Sequence, residues 1–577
     1  MRVRTRLFTA AAVGGALLAP LVPVGSVPAG AVSTPALDHA RAWLVDQQQD
    51  DGGFETVGFP GFETPDAVHA LAAAGQADAT WSTDEALAAV EVVQTGDGKD
   101  PLDAVDDWVD SVQGDAGASP AAKASQAAKV IVLVTAPLGL DETDFDPSDD
   151  TDDPVDLVGA LVAASGTGSY PDLLFGGKVY AAWALSALGA GIPDGLLDAI
   201  ASAQQHDGGF AFEGDPAGVI LDPDLTAAVV LALREETSPA ARAVSRRAIV
   251  GLALAQRPSG AWAGAFDDGN ANSTAMAMLA AASQGADPDT PCWRDQPLGQ
   301  TPTSLVGVPY PSPVAAVEAD QDPTAGYIRG PFDGPGDPNT FATSQAIQGL
   351  AAAEGAAFYG SGVPCVAPVA TPNRRLVNLM YADLLRRPAE EAGAVYWTGQ
   401  FDAGTSPSYL SRAFTGTVEF SRVVLTGLTV EHLGRVPTAT EVQDLAPVVR
   451  AGRRFDVAAT LLGGSEFYAA AGGSRPAWVQ AVVPATLGRP ALSSDVAYVN
   501  SLLDAGRTRA QVARTLISTQ DGRSHFVRTT YLTLLRRAAD AGGLEFWTAE
   551  LRTSSPEWLV RRMINTTEYR GLSAPPA

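Results

Sequence analysis

The chain has 577 residues, 46% hydrophobic and only 18% charged, which excludes a disordered or fibrous protein and supplies enough apolar side chain for large cores. A net charge of −28 disfavours nucleic acid and anionic lipid as partners. Two cysteines in this length exclude a disulfide-dense scaffold.

Arg2, Arg4 and Arg6, the apolar run Leu7 to Leu18 and the small residues Ala29-Gly30-Ala31 read as a cleaved signal peptide spanning 1–31. Pro20, Pro23 and Pro28 argue against a spanning helix. The expected location is secreted or extracellular, with non-covalent attachment to a cell surface as a variant. In that oxidising setting Cys292 and Cys365 are expected to bond. The loop closed would be about 74 residues, worth roughly 4 kcal/mol in the chain-entropy picture.

Residues 32–365 carry a recurring turn. It reads Gln49-Asp50-Asp51-Gly52-Gly53-Phe54, then Gln205-His206-Asp207-Gly208-Gly209-Phe210, then Gln256-Arg257-Pro258-Ser259-Gly260-Ala261-Trp262. Weaker echoes are Gln113…Gly117 and Ser165-Gly166-Thr167-Gly168-Ser169-Tyr170. The glycines at 52, 117, 168, 208 and 260 lie 65, 51, 40 and 52 residues apart, a spacing that predicts stacked helix pairs. Ala/Leu-rich stretches follow the turns at 64–75, 125–136, 177–189, 224–235, 272–283 and 343–354. They are apolar nearly all round, as helices buried on both sides must be. More polar, striped helices precede the turns at 36–48, 102–113, 156–165, 195–205 and 243–256. Inner helices ringed by outer ones is the expected packing, with Asp224, Asn272 and Thr343 as caps of their inner helices.

These Gln…Gly-Gly-Phe turns resemble the α/α toroid superfamily: squalene cyclases, protein prenyltransferase β-subunits and complement thioester domains. Gly269-Asn270-Ala271-Asn272-Ser273-Thr274 looks most like the toroid of cobalamin-carrier-like proteins. The resemblance implies about six helix pairs. Class II cyclases place Asp-x-Asp-Asp at an inner helix. The literal match, Asp150-Thr151-Asp152-Asp153, sits instead in the acidic stretch 141–156 before an outer helix, where a solvated charge run is the plainer reading. Asp222 and Asp224 enter an inner helix and are the alternative proton donors. Prenyltransferases need a zinc-bound Asp, Cys and His, and no cysteine lies on an inner helix. Gly177-Lys178-Val179-Tyr180 resembles their inner helix near the zinc site, but Ala181 stands where the His belongs. A thioester Cys-Gly-Glu-Gln sequence is absent. Ligand-binding candidates at the inner-helix starts are Asp66, His69, Lys178, Tyr180, Asp222, Asp224, Asn272, Ser273 and Thr343, with capping or turn roles as the competing explanation. The Asp-rich loops 141–156 and 333–337 are candidate calcium ligands without the full EF-hand pattern, and no metal site is expected.

Residues 366–372 read as a linker, 373–571 as a second all-helical domain and 572–577 as a tail. Charge shifts here. Residues 32–372 hold 48 acidic against 12 basic residues, whereas 373–577 hold 18 acidic against 23 arginines. Four related units are marked by Leu384-Leu385-Arg386-Arg387-Pro388, Leu433-Gly434-Arg435-Val436-Pro437, Leu487-Gly488-Arg489-Pro490 and Leu534-Leu535-Arg536-Arg537. Arg387, Arg435, Arg489 and Arg537 each precede an acid by 31–32 residues: Glu419, Glu466, Asp521 and Glu568. A guanidinium fork meets a carboxylate bidentately, so these are expected to pair and fix helix packing, with anionic glycan as the other use. The 102-residue interval from Arg387 to Arg489, and from Arg435 to Arg537, suggests a two-unit pairing. Tyr381, Leu384, Arg387, Gly393, Tyr396, Trp397, Glu419 and Phe420 resemble the bacterial secreted domain-of-unknown-function family 4214, which implies an extracellular helical module.

The fold expected is all-α: an α/α toroid of about six helix pairs followed by four related helical units. The function expected is a non-catalytic binding or adhesion protein for a small molecule, a peptide or a cell-surface glycan, a corrinoid being the small molecule the resemblance implies. A toroid cyclase acting on a lipid-like substrate and a structural envelope protein are the rivals. No membrane span is expected.

Overall fold

The computed structural model describes residues 35–55, 61–76, 80–148, 154–218, 220–264, 267, 269–297, 305–361, 363–366 and 368–574. The signal segment and the Asp150–Asp153 cluster lie outside these. Every regular element among the described residues is helical; strand pairing is limited to isolated bridges such as Trp262 with Asn270. No described helix is long and apolar enough to cross a membrane.

Six helices form the core of the first half: α1 (Thr64–Ala74), α2 (Pro120–Val130, continued by a π-helical turn Ile131–Thr135), α3 (Phe175–Ala187), α4 (Pro223–Ala232), α5 (Ala271–Ala282) and α6 (Thr340–Ala353). Each packs against the next in chain order, and α6 packs back on α1, so the contacts run in a cycle. Five of the outer helices, Pro101–Gln113, Leu157–Ala163, Asp194–Ala203, Pro239–Ala255 and Pro313–Ala319, each lie against the inner helix before them in the chain. The outer helix Pro35–Val45 has no inner helix before it and lies against α6, which closes the cycle. The helix Pro313–Ala319 is absent from the sequence expectation, because seven residues carry too little periodicity to register.

The recurring turn does one job. Gln48 Nε2 donates to the Gly52 carbonyl (3.1 Å) and to the Val93 carbonyl (3.1 Å). Gln204 does the same to Gly208 (2.7 Å) and Val244 (2.9 Å), and Gln256 to Gly260 (3.0 Å) and Pro311 (2.9 Å). A further copy, Gln321 to Gly326 (3.0 Å) and Ala36 (2.8 Å), joins the last turn to the first outer helix. One amide thus ties a turn to the neighbouring unit through two carbonyls. The glycines must be glycines: Gly208 has φ +98°, and a Cβ there would sit 2.1 Å from the Arg247 carbonyl oxygen. The residue after each turn then donates its N–H to a threonine of the following inner helix: Phe54 to Thr64, Phe210 to Thr226, Trp262 to Thr274 and Ile328 to Thr343. The Gln113…Gly117 echo is not this turn. Gln113 reaches Lys123 and Gln126, and a Cβ on Gly117 would meet only the Asp115 side chain.

The far end of the ring is closed by the segment after α6. The Tyr359 hydroxyl donates to the Val132 carbonyl (2.6 Å), and its ring meets His69, Trp183, Phe358 and the guanidinium of Arg234. Ser361 N–H then bonds the Ala282 carbonyl and Cys365 N–H the Gly285 carbonyl. The disulfide Cys292–Cys365 pins this segment in place.

The second half is built on α7 (Pro372–Leu385), α8 (Val418–Leu433), α9 (Arg475–Leu487) and α10 (Gln520–Thr530, continued by a π-helical turn Tyr531–Leu535). Its apolar clusters join the first unit to the fourth, and the second to the third. That corrects the pairing suggested by the 102-residue interval: spacing along the chain counts units and says nothing of how the array folds back.

Candidate functional site

The inner helices α4, α5 and α6 begin earlier than the sequence indicated. Their caps are Asp222 (accepting from Leu225 N, 2.8 Å), Asn270 (from Ser273 N, 2.8 Å) and Asn339 (from Ala342 N, 2.8 Å). Asp224, Asn272 and Thr343 are therefore not caps but lie within the helices. Thr343 is consumed by the turn bond to Ile328 and donates to the Asn339 carbonyl (2.7 Å). Asp222 is held by its capping role, which leaves Asp224 as the freer of the two acids.

What remains converges at the centre of the ring, with a polar contribution from every inner helix and two from α6. Asp66 of α1 meets Lys129 of α2, Oδ2 to Nζ 2.9 Å, both nearly sealed from water. Lys129 also donates to the Phe62 carbonyl (2.5 Å) and stands 3.6 Å from the Phe62 ring centroid. From α6, Gln345 Nε2 approaches Asp66 Oδ1 (3.3 Å) and Gln348 Nε2 bonds the Asp66 carbonyl (2.9 Å). Asn272 of α5 donates to Gln345 Oε1 (3.1 Å). Asp224 of α4 and Tyr180 of α3 complete the circle.

The electrostatics follow from desolvation. Burial, then the neighbouring Asp222 charge, pushes Asp224 up to about 7, against the pull of the Ser273 hydroxyl. Its Oδ1 is sealed from water and has no hydrogen-bond partner among the described residues. Burial also raises the Tyr180 phenol, with the Asp66 and Asp224 charges adding to it. His69 lies deeper, between Trp81 and Tyr359, and burial lowers it to about 4 against the Asp66 charge. It is a neutral member of the closed end. Lys178 is half-buried on α3 and outside this hydrogen-bond chain.

Beside Lys129 and Tyr180 a cavity of about 390 Å³ opens, walled by Phe62, Ala121, Ala122, Ser125, Leu173 and Gly177 among others. This is the small end of the usual range for ligand pockets. The loops feeding the inner helices leave Phe62, Leu174, Phe212 and Phe332 exposed, at 49, 86, 73 and 77%. All four precede an inner-helix start, so the face that carries the polar hub also carries an apolar rim. Lys129 and Gln345 are the residues that sequence reasoning missed. A lysine in an Ala-rich buried helix was the available signal, since an unpaired charge there is costly.

In the second half each arginine of the repeat clamps two acids. Arg435 holds Glu466 (2.6 and 2.5 Å) and Glu441 (2.8 and 2.9 Å). Arg387 binds Glu419 and Glu390, Arg489 binds Asp521 and Asp495, and Arg537 binds Glu568 and Asp540. Each acid sits at or just before the first turn of a helix, where negative charge is favoured. Trp397 and Trp547 are half-buried against this core, beside Phe414 and Trp558.

Among the described residues no group of three or more His, Cys, Asp or Glu is placed to hold a metal. Asp333 and Asp337 accept backbone bonds from Gly330 and Gly334 within their own loop. No protein-family model, no curated protein and no solved structure matches the chain.

Proposed function

We propose that this is a secreted, non-catalytic binding protein whose ring mouth docks a ligand, with the second half as a helical accessory region. The cyclic contacts of the inner helices support the α/α toroid reading. The observation that carries the binding reading is the rim. Four large apolar side chains stand exposed around a polar hub whose far end is stopped by Tyr359. Exposed apolar surface bordered by polar groups marks interaction sites. The acidic excess of residues 32–372 favours a neutral or cationic ligand with apolar surface, and a peptide fits that description best.

Native mass spectrometry of the protein recovered from its growth medium tests this. The reading expects a non-covalent adduct on the full chain that is lost in Ala122→Trp, which fills the mouth cavity. Visible absorbance of the released molecule would identify a corrinoid. An adduct of equal abundance on the Trp variant, or none on the native chain, would remove the mouth as its seat.

One observation favours the cyclase alternative: Asp224, pushed up to about 7, is available as a proton donor beside Tyr180. Under that reading Asp224→Asn abolishes turnover of a lipid-like substrate without releasing it. Under the binding reading no turnover of such a substrate is seen in either protein, and the variant differs in pH-dependent stability.

A further inference from the structure

A second cavity, about 550 Å³, lies between the ring and the second half. Its walls mix apolar side chains (Ile220, Leu254, Val308 and Val430 among them) with Asp207, Asp267 and Asp383 and three arginines: Arg257 from a ring turn, Arg386 after α7 and Arg536 after α10. Arg386 and Arg536 occupy the left-handed position that ends their helices, with φ +52° and +56°. In the other two units that position is Gly434 and Gly488, both at φ +65°. Glycine is at ease there and a side chain is not, so arginine is kept twice at a place that disfavours it. Both instances face the same cavity.

The three arginines and the three aspartates of the wall balance in number, but they are paired unevenly. Arg536 is paired with Asp383, which also accepts from the Tyr569 hydroxyl (2.8 Å). The guanidiniums of Arg257 and Arg386 have no hydrogen-bond or ion-pair partner among the described residues. The other carboxylates of the wall are engaged with their own loops. Asp207 accepts from Gly209 N (3.0 Å), and Asp267 accepts from Gly264 N, Gly269 N and Asn270 Nδ2. Desolvation lowers the Arg386 pKa; the Asp383 charge opposes this, and Arg536 and Arg257 add to it. Arg257 and Arg386 are solvent-exposed, and with no carboxylate bound to them their guanidinium forks are free to receive an anionic group.

We propose that this groove binds a small molecule bearing a phosphate, sulfate or carboxylate group on an apolar body, with Arg257 and Arg386 clasping the anionic group. Two arginines from different parts of the chain form the clasp, so the ligand also bridges the ring and the second half. This site is separate from the ring mouth, and its ligand has the opposite charge preference.

Isothermal titration of the full chain with octyl phosphate, inorganic phosphate and octyltrimethylammonium tests it. Octyl phosphate is expected to bind saturably at one site, about tenfold or more tighter than inorganic phosphate, and the cationic amphiphile not at all. Arg386→Gly installs the residue of the sister units. It is expected to weaken octyl phosphate about tenfold or more while raising the melting temperature of the free protein. Arg257→Ala weakens binding alike, and Ala122→Trp leaves it intact. Unchanged affinity in Arg386→Gly and Arg257→Ala, or no saturable binding of either anion, overturns the site. Equal affinities for octyl phosphate and inorganic phosphate contradict the apolar body.

Discussion

The two halves of this chain solve the same problem, joining repeated helical units, with opposite chemistry. The ring joins units through neutral glutamine amides on backbone carbonyls, such as Gln204 on Gly208 and Val244, sealed from water. The second half joins them through exposed guanidinium–carboxylate forks, such as Arg435 on Glu441 and Glu466. Buried neutral hydrogen bonds are costly to break because the orphaned group cannot turn to water. Exposed ion pairs are cheap to break because water and salt replace the partner. The ring should therefore be the rigid part, insensitive to salt, and the second half the adaptable one.

The largest effect that sharpens this contrast is at the buried ion pair of the hub. Lys129→Met leaves Asp66 unpaired in the hub and should cost about 3–5 kcal/mol, read by denaturant unfolding of the ring. Gln204→Ala comes next. It orphans two buried carbonyls and should cost about 2–4 kcal/mol with no salt dependence.

Asp224→Asn is smaller, about 1–2 kcal/mol once screening by the water that reaches this partly exposed residue is discounted, and depends on pH. The folded value near 7 lies above the ordinary carboxyl value of 3.8, so the native chain loses stability as pH rises from about 4 through 7. The Asn variant should melt above the native protein at pH 8, and the difference should vanish near pH 4. His69, held near 4, acts in the other sense, losing stability as pH falls from 6.5 toward 4, and the paired comparison cancels it.

Smallest of all is Arg435→Ala, at about 0–1 kcal/mol and less in 1 M salt. Its partner Glu441 is held down to about 2, first by that arginine, so the contribution is present above 4.5 and lost as pH falls toward 2. A large, salt-independent loss in Arg435→Ala would break the comparison.

The turns were legible because a left-handed glycine against a neighbouring backbone admits no substitute. The Gln321–Gly326 copy escaped because its glutamine stands five residues before the turn glycine, where Gln48, Gln204 and Gln256 stand four before theirs, although its hydrogen bonds match. Arg–acid pairs such as Arg435 with Glu466 were readable from a constant interval. The second acid of each clamp was not, because helix N-termini are rich in acids for local reasons. The hub was half legible. Asp66, Tyr180, Asp224 and Asn272 stand out in the sequence as polar residues near helix starts. Lys129 and Gln345 lie deeper in their helices, where only the ring's closure brings them to the axis. The caps of α4 and α5 were misplaced by two residues because Asp222 and Asp224, and Asn270 and Asn272, offer two caps each.

The central claim is that the face bearing the inner-helix starts meets a ligand. Oxidative footprinting of the protein in its growth medium, against the purified chain, tests it most directly. Phe62, Leu174, Phe212 and Phe332 should be protected in the medium, while Val92 and Val162, also exposed, should react alike in both. Equal reactivity of the four rim residues in both samples, or protection confined to Val92 and Val162, would contradict it.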